Sequence, residues 1–167
     1  MKLADSTLNA GKGKSLTQSR PESLRISIRV HSHLKYTDLF HTVLAQVARE
    51  IPIPADRMDW VALALREAVN NAVLHGNKKE PAKWIEVEMV GTPEAFTMTV
   101  WDEGPGFNTS KLSDPREPEN LLKPNGRGIF LIRQFTDQAQ FIRDAGGRFG
   151  LVMTVNLDKR GSKEESE

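Results

Sequence analysis

Three clusters of residues in this chain have types and spacings that could do chemistry. The stretch EAVNNAVLHGN (67–77) sets Glu67, Asn71 and His75 four residues apart among Ala, Val and Leu. The stretch WDEGPGF (101–107) places Asp102 ahead of Gly104 and Gly106, and NGRGIF (125–130) places Gly126 and Gly128 on either side of Arg127. A carboxylate and an amide oxygen one helical turn apart can organise Mg²⁺, which takes oxygen ligands, keeps several waters and borrows others from phosphates. A carboxylate at a strand end can accept an amino hydrogen such as that of adenine's exocyclic amine, and glycines beside it let a ligand approach the backbone. Glycines that open a helix expose N–H groups at the end where the helix dipole favours phosphate. Arg127 adds a cation suited to phosphate oxygens.

Each cluster alone also admits an ordinary role: a core hydrogen bond for Glu67, a tight turn for 101–107, a loop-to-helix junction for 125–130. His75 alone reads as a capping or packing residue. Helix geometry sharpens the first case. At about 100° per residue, Trp60, Ala64, Glu67, Asn71 and His75 share one sector. Val61, Leu65, Ala68 and Ala72 lie on one side of it and Leu63 and Leu74 on the other. Glu67 and Asn71 are therefore set into an apolar side, where an unpaired carboxylate is costly. Arg66 and Asn70 fall nearer the opposite face and read as solvated.

The elements that must hold these residues follow from periodicity. SLRISIRVHSH (23–33) alternates apolar and polar, the pattern of a half-buried strand. Residues 36–51 show helical spacing through Leu39, Val43, Val47 and Ile51 and are stopped by Pro52 and Pro54. A second, longer helix covers 55–77, with Gly76 and Asn77 as its stop. Strands are predicted over 83–92 and 95–104 with a hairpin between them, then a long loop over 105–125 with four prolines. A helix over 126–137 and a last hairpin joined by AGG complete the order. Helices and strands do not alternate one for one, so the expectation is an α+β fold: a two-layer sandwich with a mostly antiparallel sheet and helices on one face.

Composition limits the alternatives. The chain has 167 residues and a formal net charge of +1, which suggests one domain and gives no general pull toward nucleic acid or membrane. It has no cysteine, which removes disulfides, thiolate catalysis and cysteine-ligated metals. No stretch of about 18 apolar residues is present to span a bilayer. The N-terminus lacks the apolar core of a signal peptide, so the expected compartment is the cytoplasm. Residues 1–22 and 158–167 read as flexible tails around a domain at 23–157. GKGKS (11–15) is not a phosphate loop, because Leu8 stands where that pattern needs a glycine and no apolar strand precedes it.

Taken together, ExxxN on a helix, DxGxG after a strand and GxG opening a helix after a Pro-rich loop resemble the ATP-binding module of the GHKL family, the Bergerat-type ATPase fold. The matching stretches are EAVNNAVLHGN, DEGPGF and GRGIF, within a resemblance that spans about residues 23–157. Among its members, the pattern is most similar to the small anti-sigma factor serine/threonine kinases. That resemblance implies ATP and Mg²⁺ as cofactors, and it implies Glu67 as the catalytic base and Asn71 as the Mg²⁺ ligand. By the same resemblance Asp102 reads adenine, Gly104 and Gly106 form the turn beneath the nucleotide, and Gly126 and Gly128 are the hinge of a lid over the phosphates. Arg127, from its charge and place, is a possible phosphate contact. Implied partners are a sigma factor and a STAS-domain anti-anti-sigma protein, with a homodimer as the assembly and no direct nucleic-acid or membrane contact. If the segment 108–125 is a mobile lid, it orders only when nucleotide or partner binds; its length is compatible with the family but sets no specificity. Two competing readings are a nucleotide-binding switch without efficient transfer and a detached histidine-kinase catalytic domain. Glu67 favours an enzyme over the first, because holding a nucleotide does not require a base.

Overall fold

Leu24, Ile26, Ile28 and Val30 are half-buried while the residues between them are exposed, so the first predicted strand forms with its expected face inward (β1, Leu24–His31). The structure, a computed structural model, describes residues 23–106 and 127–157. The two predicted tails, most of the Pro-rich segment and Gly126 lie outside the described residues. The following elements are α1 (Thr37–Val47), α2 (Ala55–Asn71), β2 (Trp84–Gly91), β3 (Ala95–Asp102), α3 (Arg127–Phe135), β4 (Gln138–Arg143) and β5 (Phe149–Asn156). Every predicted helix and strand is present. Their ends fall short by a few residues, most visibly for α1, where Val47 rather than Ile51 ends the helix and Ala48–Glu50 turn toward Pro52.

The strands form one sheet in the order β1-β2-β3-β5-β4, with every neighbouring pair antiparallel. The last hairpin extends the sheet from β3, with β5 next to β3 and β4 at the edge. Alternation assigns the faces. Ile85, Val87 and Met89 of β2, Phe96, Met98 and Val100 of β3, and Leu151, Met153 and Val155 of β5 are buried in one core. That core also holds Phe40 and Leu44 of α1 and Val61, Ala64, Leu65, Ala68 and Val69 of α2. The helices therefore cover one face. The other face carries polar pairs, including Arg148 to Glu86 at 2.6 Å and Ser27 to Glu86 at 2.6 Å. The Ser27 hydroxyl and the Arg148 guanidinium hold the Glu86 carboxyl below its usual range against the opposing effect of burial.

Register also places Asp102. It has the same parity as Phe96, Met98 and Val100, so it lies on the helix-side face, opposite Ile85 of β2 and Phe149 of β5. The strand thus delivers a carboxylate to the end of an apolar layer. The helix α2 delivers the other groups. It begins after Pro54 with Asp56 in its first turn, where a negative charge suits the helix dipole. Its last turn widens into one turn of π-helix over Ala72–Gly76, closed by the Asn77 N–H donating to the Ala72 carbonyl at 2.7 Å. Such π turns occur where a helix is bent to serve a site.

Candidate nucleotide site

The polar stripe of α2 meets α3 along its length. Trp60 stacks on Phe135 near the end of α3, with ring centroids 4.4 Å apart. One pair of turns further on, Glu67 and Asn71 face Gly128 in the first turn of α3, so the two helices run antiparallel. A Cβ on Gly128 would stand 3.0 Å from Glu67 Oε2 and 3.1 Å from Asn71 Nδ2. The absence of a side chain at Gly128 allows two polar residues to sit where helix packing would otherwise fill the space.

That space is a cavity of about 470 Å³, within the range typical of small-molecule sites. Glu67, Asn71 and His75 of the α2 stripe line it, with Asp102 and Gly106 from the sheet end and Arg127 and Gly128 from α3. Residues from all three sequence clusters therefore meet around one space. Val100, Leu151, Phe141 and Phe149 form its apolar wall, with Phe141 and Phe149 stacked at 5.5 Å. Glu67 and Asn71 are half-buried rather than sunk in the core. The cavity supplies the polar opening that periodicity alone could not show. Asn70 is a correction: expected in solvent, it is half-buried, lines the cavity and accepts a long hydrogen bond from the Thr37 hydroxyl at 3.4 Å.

Asp102 is 6% exposed. Burial pushes its carboxyl up to about 6, against the lowering effects of the Gly104 N–H and the positive charges of Arg143 and Lys83. Gly104 does not line the cavity; it holds Asp102 from beneath, donating its N–H to Asp102 Oδ1 at 2.7 Å. A Cβ on Gly104 would meet the Gly76 carbonyl at 2.1 Å, so only glycine fits between the helix end and the carboxylate. Gly106 has φ of +71°, and a Cβ there would meet Phe149 at 2.7 Å and Arg143 at 2.8 Å. Both conditions select glycine. Arg143 ties this turn to the last hairpin by donating to the Pro105 carbonyl at 2.6 Å and the Gly147 carbonyl at 2.5 Å.

The site is suited to Mg²⁺ held partly by phosphate. Glu67 and Asn71 supply a carboxylate and an amide one turn apart. The Asn71 Nδ2 is buried with no protein partner, and turning the amide over would present its oxygen from the same place. Among the described residues no group of three or more His, Asp or Glu could hold a metal by itself. Also among the described residues, no helix is long and apolar enough to cross a membrane.

The sequence reading missed four contributors. Phe141 and Phe149 gain their place only because β5 lies beside β3, a pairing that strand patterns do not reveal. Arg143 sits opposite Phe149 in the same ladder. Asn77, read as a helix stop, is fully buried and joins α2 to both β2 and the end of β3. No signal in the sequence marked this role, because its partners at Trp84 and Glu103 are remote.

A GHKL-type arrangement of three helices on a five-stranded antiparallel sheet, with its cavity between α2, α3 and the sheet end, matches known proteins. The family model for the histidine kinase-like ATPase domain matches residues 30–155, and the chain belongs to that family. It is similar to "Serine-protein kinase RsbW" of Bacillus mycoides (strain KBAB4), with 27% identity over 149 residues, covering 86% of this chain and 89% of the relative. It is also similar to "Anti-sigma F factor" of Oceanobacillus iheyensis, with 29% identity over 108 residues, covering 62% of this chain and 73% of that one. The fold is shared with the crystal structure of the RsbU and RsbW domains of Rv1364c from Mycobacterium tuberculosis, at a TM-score of 0.56 and 16% identity. That match covers 79% of this chain and 31% of the solved one.

Proposed function

We propose that this protein is an ATP-dependent serine/threonine protein kinase that also acts as an anti-sigma factor, phosphorylating a STAS-domain anti-anti-sigma antagonist. The observation that carries the reading is the convergence of Glu67, Asn71, Gly128 and Asp102 on one cavity. Its kinship with proteins named as a serine-protein kinase and an anti-sigma factor supports the choice of reaction and partners.

In this reading, Asp102 accepts a hydrogen from the adenine amino group, and Phe141 and Phe149 bound the base. Gly104 and Gly106 let the backbone turn beneath the nucleotide. Gly126 and Gly128 let the start of α3 approach the phosphates, with Arg127 as a further phosphate contact. Asn71 would be the protein's ligand for Mg²⁺, which would supply neutralisation of charge on the phosphate oxygens. Glu67 takes the proton from a serine or threonine hydroxyl as its oxygen attacks the γ-phosphorus; the bond from that phosphorus to the ADP oxygen breaks and ADP leaves. Most of the catalysis expected of such a site is positioning and electrostatic stabilisation, with the base adding a further factor. A homodimer, a cytoplasmic location and a domain over 23–157 flanked by tails belong to the same proposal.

Incubating the protein with labelled ATP, Mg²⁺ and STAS-domain proteins from the same genome tests it. Acid-stable label on serine or threonine is the expected result. Acid-labile label on histidine would replace the reading with a histidine-kinase one, and a STAS protein that binds but gains no phosphate would reduce it to a switch.

A further inference from the structure

Asn77 is fully buried and does not line the cavity, yet its side chain bonds the residue directly after Asp102, which does. Its Nδ2 donates to the Trp84 carbonyl at the start of β2 at 2.8 Å. Its Oδ1 accepts the Glu103 N–H at 2.9 Å, and Glu103 is the residue directly after Asp102. Its own N–H closes the π turn on the Ala72 carbonyl. The backbone and side chain of this one residue therefore join three places: the end of α2, the first residue of β2 and the residue that follows β3. Glu103 adds a second tie to the same place, because its carboxylate accepts the Trp84 N–H at 3.1 Å and pairs with Arg29 at 3.3 Å.

The tolerance at this junction is small. A Cβ on Gly76, the residue before Asn77, would lie 2.4–2.6 Å from the carboxyl atoms of Asp102. The Asp102 carboxylate is thus pressed against the helix end, and its place depends on where residue 103 is held relative to residue 77. A buried amide whose donor and acceptor are both used is costly to replace and fixes its neighbours in one arrangement.

We propose that Asn77 is a positioning residue for nucleotide recognition: without touching the nucleotide, it holds the strand end that carries Asp102 against the end of α2 and so sets affinity and base selectivity. This rests on the reading of Asp102 as the adenine-reading carboxylate. A recognition carboxylate that no longer meets its amino partner leaves a buried polar group unpaired, which costs roughly tenfold or more in affinity. Asn77→Ala is therefore expected to weaken ATP affinity by about tenfold or more and to bring the ATP/GTP affinity ratio toward one. Transfer at saturating ATP should change by less than about threefold, since the side-chain hydrogen bonds of Asn77 go to Trp84 and Glu103 and not to Glu67, Asn71 or Gly128.

The test measures ATP and GTP affinities, transfer at saturating ATP, melting temperature and the Asp102 carboxyl titration by carbon NMR in the full chain. The variants are Asn77→Ala and Asn77→Asp; the second keeps the acceptor for the Glu103 N–H but sets a carboxylate against the Trp84 carbonyl in a fully buried place, and is expected to disturb the junction at least as much as alanine. Met153→Ala, in the core away from the cavity, serves as a variant that loses stability without disturbing the junction. The proposal predicts that Asn77→Ala shifts the ATP/GTP ratio and moves the Asp102 midpoint down from about 6 as water reaches the loosened strand end, while Met153→Ala changes neither. If Asn77→Ala lowers only the melting temperature, with the ratio and the Asp102 midpoint unchanged, the residue is structural and the proposal is overturned. If the wild-type protein does not discriminate ATP from GTP, the adenine role of Asp102 fails instead. The Asp102 midpoint in Asn77→Ala then still decides whether Asn77 positions that carboxylate.

Discussion

Gly128 in the first turn of α3 lies so close to Glu67 in α2 that a Cβ there would stand 3.0 Å from Glu67 Oε2. The contact explains why a helix otherwise built for packing can carry a carboxylate and an amide in its seam. It also opposes two effects that usually go together. Gly128→Ala should gain about 0.5–1 kcal/mol of helix propensity, while crowding Glu67 and Asn71. Melting temperature should stay level or rise, and phosphoryl transfer should fall about tenfold or more. Unchanged transfer would show that the approach of α3 to Glu67 is incidental to the chemistry.

Glu67 and Asn71 separate the base from the metal ligand. Glu67→Gln should leave ATP affinity within about twofold and lower transfer by roughly 100- to 10,000-fold, the usual contribution of a general base. Asn71→Ala should weaken ATP binding in Mg²⁺ and leave the weaker binding in EDTA nearly unchanged. Calorimetric titration in the two buffers checks this; an equal loss in both would mean that Asn71 contacts the nucleotide rather than the ion.

Much of this arrangement was legible in the sequence. The alternation of Leu24, Ile26, Ile28 and Val30 predicted both β1 and its inward face, and the spacing of Glu67, Asn71 and His75 predicted one stripe. The glycines at 104, 106 and 128 marked close approaches because each has a physical cause visible in the residue type. Long-range pairing was not legible, since strand patterns do not specify neighbours. The placement of Phe141, Phe149 and Arg143 around the cavity follows only from β5 lying between β3 and β4. Asn70 was misjudged because a helical wheel separates faces but does not show a cavity that widens past the stripe. Asn77 was read as local punctuation because its partners at Trp84 and Glu103 are remote in sequence.

Asp102 makes both stability and binding depend on pH. Its folded-state value of about 6 lies above the ordinary 3.8, so its contribution to stability is fully present below the unfolded value and is lost as pH rises through about 6. The difference of about two units corresponds to roughly 3 kcal/mol between those limits. Asp102→Asn should therefore be more stable than wild type at pH 8, with the gain shrinking toward pH 4. The ionised carboxylate is the stronger acceptor of an amino hydrogen, so wild-type ATP affinity should rise between pH 5 and 7 relative to Asp102→Asn measured in parallel, which corrects for titration of the phosphates. Thermal unfolding across this range checks the first statement and calorimetry the second. A pH-independent stability difference would mean that Asp102 titrates normally.

The central claim is that the cavity between α2, α3 and the end of β3 transfers the γ-phosphoryl group of ATP to a protein hydroxyl with Glu67 as the base. The most direct measurement follows acid-stable label from γ-labelled ATP onto a cognate STAS-domain protein, with wild-type and Glu67→Ala chains at matched ATP occupancy. The account predicts stoichiometric serine or threonine labelling by wild type and none above background by Glu67→Ala. Full labelling by Glu67→Ala, or a wild-type chain that binds ATP and the STAS protein without labelling it, would contradict it.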